Sequence, residues 1–164
     1  MNKIVLFDWG DTLMVDFTDQ PGHMKDWANV QAVNGAEQAL KRLSSISSLF
    51  VATGAIGTTS ELMRLAFQRT SLSPFISGYY CPNNVGYEKP SAQFYKTIAH
   101  NIDCRVEDII MVGDNLERDI LPAIAVGMSA IWLNSKHQKN LHNVNEISCL
   151  NELCSLYEVL NQSR

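Results

Sequence analysis

At 164 residues, with 46% hydrophobic and 18% charged residues, the chain has the length of one globular domain and the composition of an ordered protein. Its formal net charge of -4, with no Lys/Arg cluster, argues against nucleic-acid binding through the phosphate backbone. No apolar run approaches the roughly 18 residues that cross a bilayer, the N-terminal segment lacks a signal-peptide cleavage pattern, and Cys81, Cys104, Cys149 and Cys154 form no CxxC pair; the expectation is a cytoplasmic protein with reduced thiols and neither a nucleic-acid nor a membrane partner.

The most informative stretch is Ile4 to Leu13, IVLFDWGDTL, an apolar run of strand length that ends in Asp8 and continues through Gly10, Asp11 and Thr12. A strand buried on both faces of a parallel sheet reads as a continuous hydrophobic run, and ligands in such sheets bind beyond the carboxyl ends of the strands. Asp8 is therefore a site candidate, capping of the following turn being the plainer role for an aspartate there. Residues 14–34, with Pro21-Gly22 as a turn signal, carry no sustained period and read as a short flap. The spacing of Ala36, Ala39, Leu40, Leu43 and Ile46 predicts an amphipathic helix from Gly35 to Ile46. Ser47 to Thr53 is a second strand ending in a hydroxyl; Thr58 to Arg69 reads as a helix with Leu62, Leu65 and Ala66 on one face and Thr58, Thr59 or Ser60 as its cap.

Phe75 to Cys81 is a third strand candidate, Ser91 to Asn101 a helix, and Asp108 to Gly113 a fourth strand ending at Asp114. Asp119 to Val126 is a short helix closed by Gly127, which admits Pro122 only in its first turn. Met128 to Leu133 is a fifth strand, residues 134–149 are polar and Asn-rich, and Leu150 to Leu160 is a terminal helix. Strands alternating with helices of this length give an α/β fold: a three-layer α/β/α Rossmann-like arrangement with a central parallel sheet of about five strands, residues 1–164 forming one domain.

In a parallel sheet, Asp8, Thr53 and Asp114 fall at strand ends on one edge, with Asp119 shortly after the fourth strand and Lys89 in the loop after the third. Several carboxylates in one pocket repel each other, and a hard divalent cation with oxygen ligands, Mg2+ where a phosphate shares it, offsets the repulsion. Such a set suits phosphoryl transfer: a carboxylate nucleophile, with the metal, lysine, hydroxyl and backbone N–H groups holding the transferred oxygens.

Across Lys3 to Leu133 these segments resemble the haloacid dehalogenase-like (HAD) hydrolase superfamily. FDWGDTL resembles its first motif, FVATGA the second with Thr53, EKPSAQFY the third with Lys89, and VGDNLERD the GDxxxxD fourth motif with Asp114 and Asp119; AIAVGM resembles the segment after it. The resemblance implies that Asp8 is the nucleophile forming an aspartyl-phosphate and is also a Mg2+ ligand. Asp114 would be a second metal ligand, the Gly10 backbone carbonyl a third, and Asp119 would orient the metal's waters or Lys89. Thr53 and the Gly54 N–H would bind the phosphoryl group, and Lys89 would balance its charge and that of Asp8.

The pattern is broken in two places. Phosphatases of the family carry a second aspartate two positions after the nucleophile as general acid and base, and here that position is Gly10. General acid–base help is worth roughly 100-fold to 10,000-fold, so three readings follow. Substrates have good leaving groups, such as acyl phosphates or aryl esters; or the acid comes from elsewhere, including Asp11, His23 or a partner subunit; or the protein binds phosphate and Mg2+ with little turnover. Asp11 does not simply inherit the role, because successive side chains of an extended segment face opposite ways.

The second departure is size: residues 14–34 are too short for a helical cap, so the site is expected to be open and without a full cap domain, resembling capless members that act on large substrates or close the site by oligomerising. The function implied is a Mg2+-dependent phosphohydrolase acting on a phosphorylated substrate, small or macromolecular; the alternative is a catalytically weak phosphate- and Mg2+-binding regulatory or interaction module. Met24, Trp27 and Val30 in the flap either pack on the core or cover substrate. For His100, His137 and His142 surface positions are expected, for Cys81 a buried structural role, and for Trp9 a place wedged into the core loop.

Overall fold

The computed structural model describes residues 3–162. Six strands, β1 (Lys3–Phe7), β2 (Ser47–Ala52), β3 (Gly78–Tyr80), β4 (Ile109–Gly113), β5 (Ser129–Leu133) and β6 (Glu146–Ile147), form one sheet in the order β3-β2-β1-β4-β5-β6. Every pairing is parallel. The order reverses direction between β1 and β4, and a crevice opens beyond the strand ends at such a reversal.

Alternation along the strands builds two cores. Val5, Phe7, Leu49, Val51, Ile110 and Val112 face one side, where they meet helices α1 (Ala36–Leu43), α2 (Ser60–Phe67) and α6 (Leu153–Gln162). Ile4, Leu6, Ala52, Ile109 and Met111 face the other, against α3 (Pro82–Val85), α4 (Ala92–Ile102) and α5 (Leu121–Ala125). With both faces covered, β1 and β4 must be apolar throughout, which is why IVLF and IIMV read as unbroken runs.

Several boundaries differ from the sequence expectation. The sheet has six strands, because the two residues of β6 pair Trp132 with Glu146 and Leu133 with Ile147 inside the Asn-rich segment. There Asn134 is buried, its amide donating to the Gln138 carbonyl (2.9 Å) and to Glu146 Oε2 (2.7 Å). The third strand shrinks to Gly78–Tyr80, since Pro74 falls in a 3-10 turn, Ser73–Phe75. Helix α1 stops at Leu43 and leaves Ile46 54% exposed. Helix α2 is capped by Thr59 and buries Met63, Ala66 and Phe67, while Leu62 and Leu65 are only half-buried, so its inward face is turned by one residue. Asp119 lies in a π-helical turn, Leu116–Ile120, and α5 follows with Pro122 in its first turn.

Residues 14–34 hold one 3-10 turn, Met24–Asp26. The segment is tied to the domain by Val15 N–H to Gln31 O (2.9 Å) and Val33 N–H to Leu13 O (2.9 Å). Met24 is buried, and Trp27 and Val30 pack partly buried on the same core. Among the described residues no helix is long and apolar enough to cross a membrane, and all four cysteines are free.

Candidate active site

Asp8 follows β1, its backbone N–H extending the ladder to Val112 O at 2.8 Å. Its Oδ1 accepts a hydrogen bond from Lys89 Nζ at 2.8 Å, and the same ammonium donates to Asp119 Oδ1 (2.8 Å) and to the Ala52 carbonyl (2.7 Å). The three donors of the ammonium are thus all used. The Lys89, Asp8 and Asp119 side chains are 0%, 2% and 0% exposed. Burial works against charge on Lys89, but the two carboxylates outweigh it and raise its pKa, so it stays charged. Asp119 is raised by burial and by Asp8, while Lys89 pulls it down.

A glycine at the end of β4 is required for this contact. A Cβ on Gly113 would lie 2.6 Å from Asp119 Oδ2 and 2.7 Å from its Cβ, a collision that would push Asp119 off Lys89. Gly54 is also tight, since a Cβ there would meet Lys89 Cβ at 3.3 Å.

Thr12, buried in the turn after β1, ties the third carboxylate to the first strand: its hydroxyl accepts from Asp114 N–H (3.1 Å) and donates to Asp114 Oδ1 (3.2 Å). Burial, then Asp8 and Asp119, push the Asp114 carboxyl up to about 7, against the opposing Thr12 bond. One oxygen each from Asp8, Asp114 and Asp119 lies within 4.8 Å of the others. Asp8 Oδ2 is buried with no hydrogen-bond partner among the described residues, which is costly for a carboxylate oxygen unless a ligand meets it. This oxygen-rich donor set, with one orphaned atom, fits a hard divalent cation such as Mg2+.

Asp8 and Asp114 line a cleft of about 330 Å3 that also contains Thr53, Gly54 and Gly10, whereas Lys89 and Asp119 are buried outside its lining. Thr53 Oγ1 accepts the Ala55 N–H at 3.1 Å, which leaves its own proton available to a ligand. Met24, Trp27 and Ile56 add apolar side chains to the lining, so flap residues that pack on the core also border the site. Trp9 is 7% exposed in the core, its ring tilted on Phe67 at 6.1 Å, and it too borders the cleft.

Asp8, Thr53, Gly54, Lys89, Asp114 and Asp119 therefore come together as the strand-end argument expects. Asp11 reaches the cleft by a left-handed backbone (φ 57), but it is exposed and its Oδ1 accepts the Asp16 N–H at 2.9 Å. His23 borders the cleft, whereas His100, His137 and His142 are exposed residues outside its lining. Cys81 is fully buried, with its thiol toward the Thr58 carbonyl. Asp16 and Arg118, which the sequence did not single out, also line the cleft. The Asp16 carboxyl, although exposed overall, is raised by partial burial and by Asp11 and Asp8, with Arg118 opposing.

A HAD-hydrolase-like family model matches residues 86–145. The pyrimidine 5'-nucleotidase PynA of Streptococcus pneumoniae is 31% identical over 112 residues, 67% of this chain and 46% of that protein. The ribulose-1,5-bisphosphate 5-phosphatase of Halopiger xanaduensis is 27% identical over 108 residues, 66% and 44% respectively. The chain thus spans less than half the length of these curated relatives. In fold it is similar to the HAD-hydrolase YfnB of Bacillus subtilis, solved bound to magnesium, with a TM-score of 0.77, 17% identity, and 98% of this chain and 99% of that one covered. Residues 86–145 thus match the haloacid dehalogenase-like (HAD) hydrolase family, and the fold of the chain is that of solved HAD hydrolases.

Two expectations follow. Removing one partner from a buried ion pair costs about 3–5 kcal/mol; Lys89→Met, which strands Asp8 and Asp119, should lose about that much in urea unfolding. A loss below about 1 kcal/mol would contradict the buried triad. The second concerns pH. Because the folded Asp114 pKa lies above the unfolded value of 3.8, the folded state holds a proton that the unfolded state has released. Its contribution to stability is full below that value and is lost as pH rises through about 7. Metal-free protein should therefore melt lower at pH 8 than at pH 5, and Asp114→Asn should flatten the decline.

Proposed function

We propose that this protein is a Mg2+-dependent phosphohydrolase acting on phosphate esters or acyl phosphates through an aspartyl-phosphate on Asp8. The observation that carries the reading is Asp8, held by the buried Lys89–Asp119 pair and facing a cleft that it lines together with Thr53 and Asp114. Asp8, Asp114 and the Gly10 carbonyl would hold Mg2+, with Asp119 orienting its waters or Lys89; the cation would neutralise charge on the transferred phosphoryl group.

The Asp8 carboxylate attacks phosphorus, and the bond to the leaving oxygen breaks. Lys89, held charged between two acids, lowers the cost of bringing an anionic phosphoryl group against a carboxylate. Thr53 donates its hydroxyl proton to a phosphoryl oxygen, and the Gly54 N–H provides a second donor there. Water then attacks the aspartyl-phosphate and returns Asp8 to its starting state. With no inserted helical domain over residues 14–34, the cleft is read as open and capless, which suits substrates larger than the cleft itself.

Gly10 supports a second reading, a phosphate- and Mg2+-binding module with little turnover, since residue 10 itself brings no side chain to serve as the usual acid. Turnover of acetyl phosphate and p-nitrophenyl phosphate, with and without Mg2+, separates the two. The enzyme should require Mg2+, and Asp8→Asn should lower kcat by more than about 1,000-fold, as loss of a nucleophile does. Activity untouched by Asp8→Asn would refute the nucleophile; Mg2+ and phosphate binding without wild-type turnover would favour the binding module.

A further inference from the structure

The space left by Gly10 is not empty. An ideal Cβ built on Gly10 would have Asp16 Cβ and Oδ2 both at 3.5 Å and Asp16 Cγ at 3.7 Å, so the Asp16 side chain lies in van der Waals contact with the position from which a side chain at residue 10 would project. The loop between them is built to do this. The N–H groups of Thr12, Leu13 and Met14 all donate to the Trp9 carbonyl (3.3, 3.0 and 3.1 Å), and Asp11 N–H closes on Met14 O at 2.7 Å. The chain folds back in one tight turn, bridging Gly10 to Met14. Asp11 Oδ1 then takes the Asp16 N–H at 2.9 Å and fixes the backbone that carries the carboxylate.

Apart from Asp8 and Asp114, the carboxylates and imidazole that line the cleft are Asp11, Asp16 and His23. Asp11 has one oxygen committed to the loop's own backbone. The Asp16 carboxylate has no hydrogen-bond partner among the described residues and lies in the cleft with Asp8 and Thr53. Resting on the phosphohydrolase reading, we infer that Asp16 is the catalytic acid and base of this site, its carboxylate delivered from the turn to the place that Gly10 leaves open.

The step balances as follows. As the Asp8 carboxylate forms its bond to phosphorus, the bond from phosphorus to the leaving oxygen breaks with its electron pair on that oxygen, and protonated Asp16 supplies the proton that makes the leaving alcohol. The Asp16 carboxylate then takes a proton from the water whose oxygen attacks the aspartyl-phosphate. The phosphorus–oxygen bond to Asp8 breaks, inorganic phosphate departs, and both aspartates are restored.

The test is the leaving-group dependence of kcat/KM for the wild type, Asp16→Asn, Asp11→Asn and His23→Asn on acetyl phosphate, p-nitrophenyl phosphate and glycerol 2-phosphate. Acetyl phosphate needs little protonation of its leaving group, so it reports the nucleophile alone. Asp16→Asn should lose about 100-fold or more on glycerol 2-phosphate and much less on acetyl phosphate, steepening the dependence within one variant whatever its folded fraction. Equal losses on all three substrates, a selective loss in Asp11→Asn or His23→Asn instead, or wild-type turnover of acetyl phosphate without the alkyl ester would each overturn the Asp16 assignment and leave the hydrolase standing. Absence of wild-type turnover on every substrate would remove the phosphohydrolase reading itself, and Asp16's role with it.

Discussion

The ammonium of Lys89, buried between Asp8 and Asp119, is the interaction on which the site depends. Two carboxylates and a lysine removed from water repay their desolvation only if every donor is met, and here the third Lys89 proton goes to the Ala52 carbonyl at the end of β2. One nitrogen thus ties together the ends of β1 and β2 and the turn after β4. Its own backbone sits in yet another loop, ahead of α4. The arrangement exists only when the sheet is fully assembled, which couples the integrity of the site to the integrity of the fold.

Charge is arranged around this point with one deliberate imbalance. Lys89 answers Asp8 and Asp119, while Asp114 is held by Thr12 and has no ion pair among the described residues. The orphaned Asp8 Oδ2 and the raised Asp114 are two expressions of that deficit. Glycines make the crowding sterically tolerable: Gly113 clears the path of Asp119, and Gly54 lets the loop after β2 lie against Lys89. At Gly10 the missing side chain is matched by the one that the turn brings back from position 16.

How much of this was legible in the sequence follows from how each residue is placed. Asp8, Thr53 and Asp114 could be read because each directly follows a buried parallel strand, and a hydrophobic run announces its own end. Lys89 and Asp119 could be grouped with them because parallel topology puts all such ends on one edge. Asp16 could not, since its approach to Gly10 depends on an irregular turn closed by the Trp9 carbonyl, and no period marks such a contact. The inward face of α2 was missed for a related reason. Its sequence offers two overlapping apolar stripes, and packing against the flap and β3 selects Met63 and Phe67 over Leu62 and Leu65. The two residues of β6 are shorter than any alternation can reveal, and polar neighbours disguise them.

A covalent bond between phosphate and Asp8 is the proposed step most open to observation. Acid-quenching the protein during turnover of acetyl phosphate and mapping the phosphoryl group by peptide mass spectrometry tests it directly. Transfer through Asp8 should leave a hydroxylamine-sensitive acyl phosphate on that residue, absent in Asp8→Asn. A phosphoryl group on another residue, or turnover with no covalent adduct under conditions that accumulate it, would contradict the account.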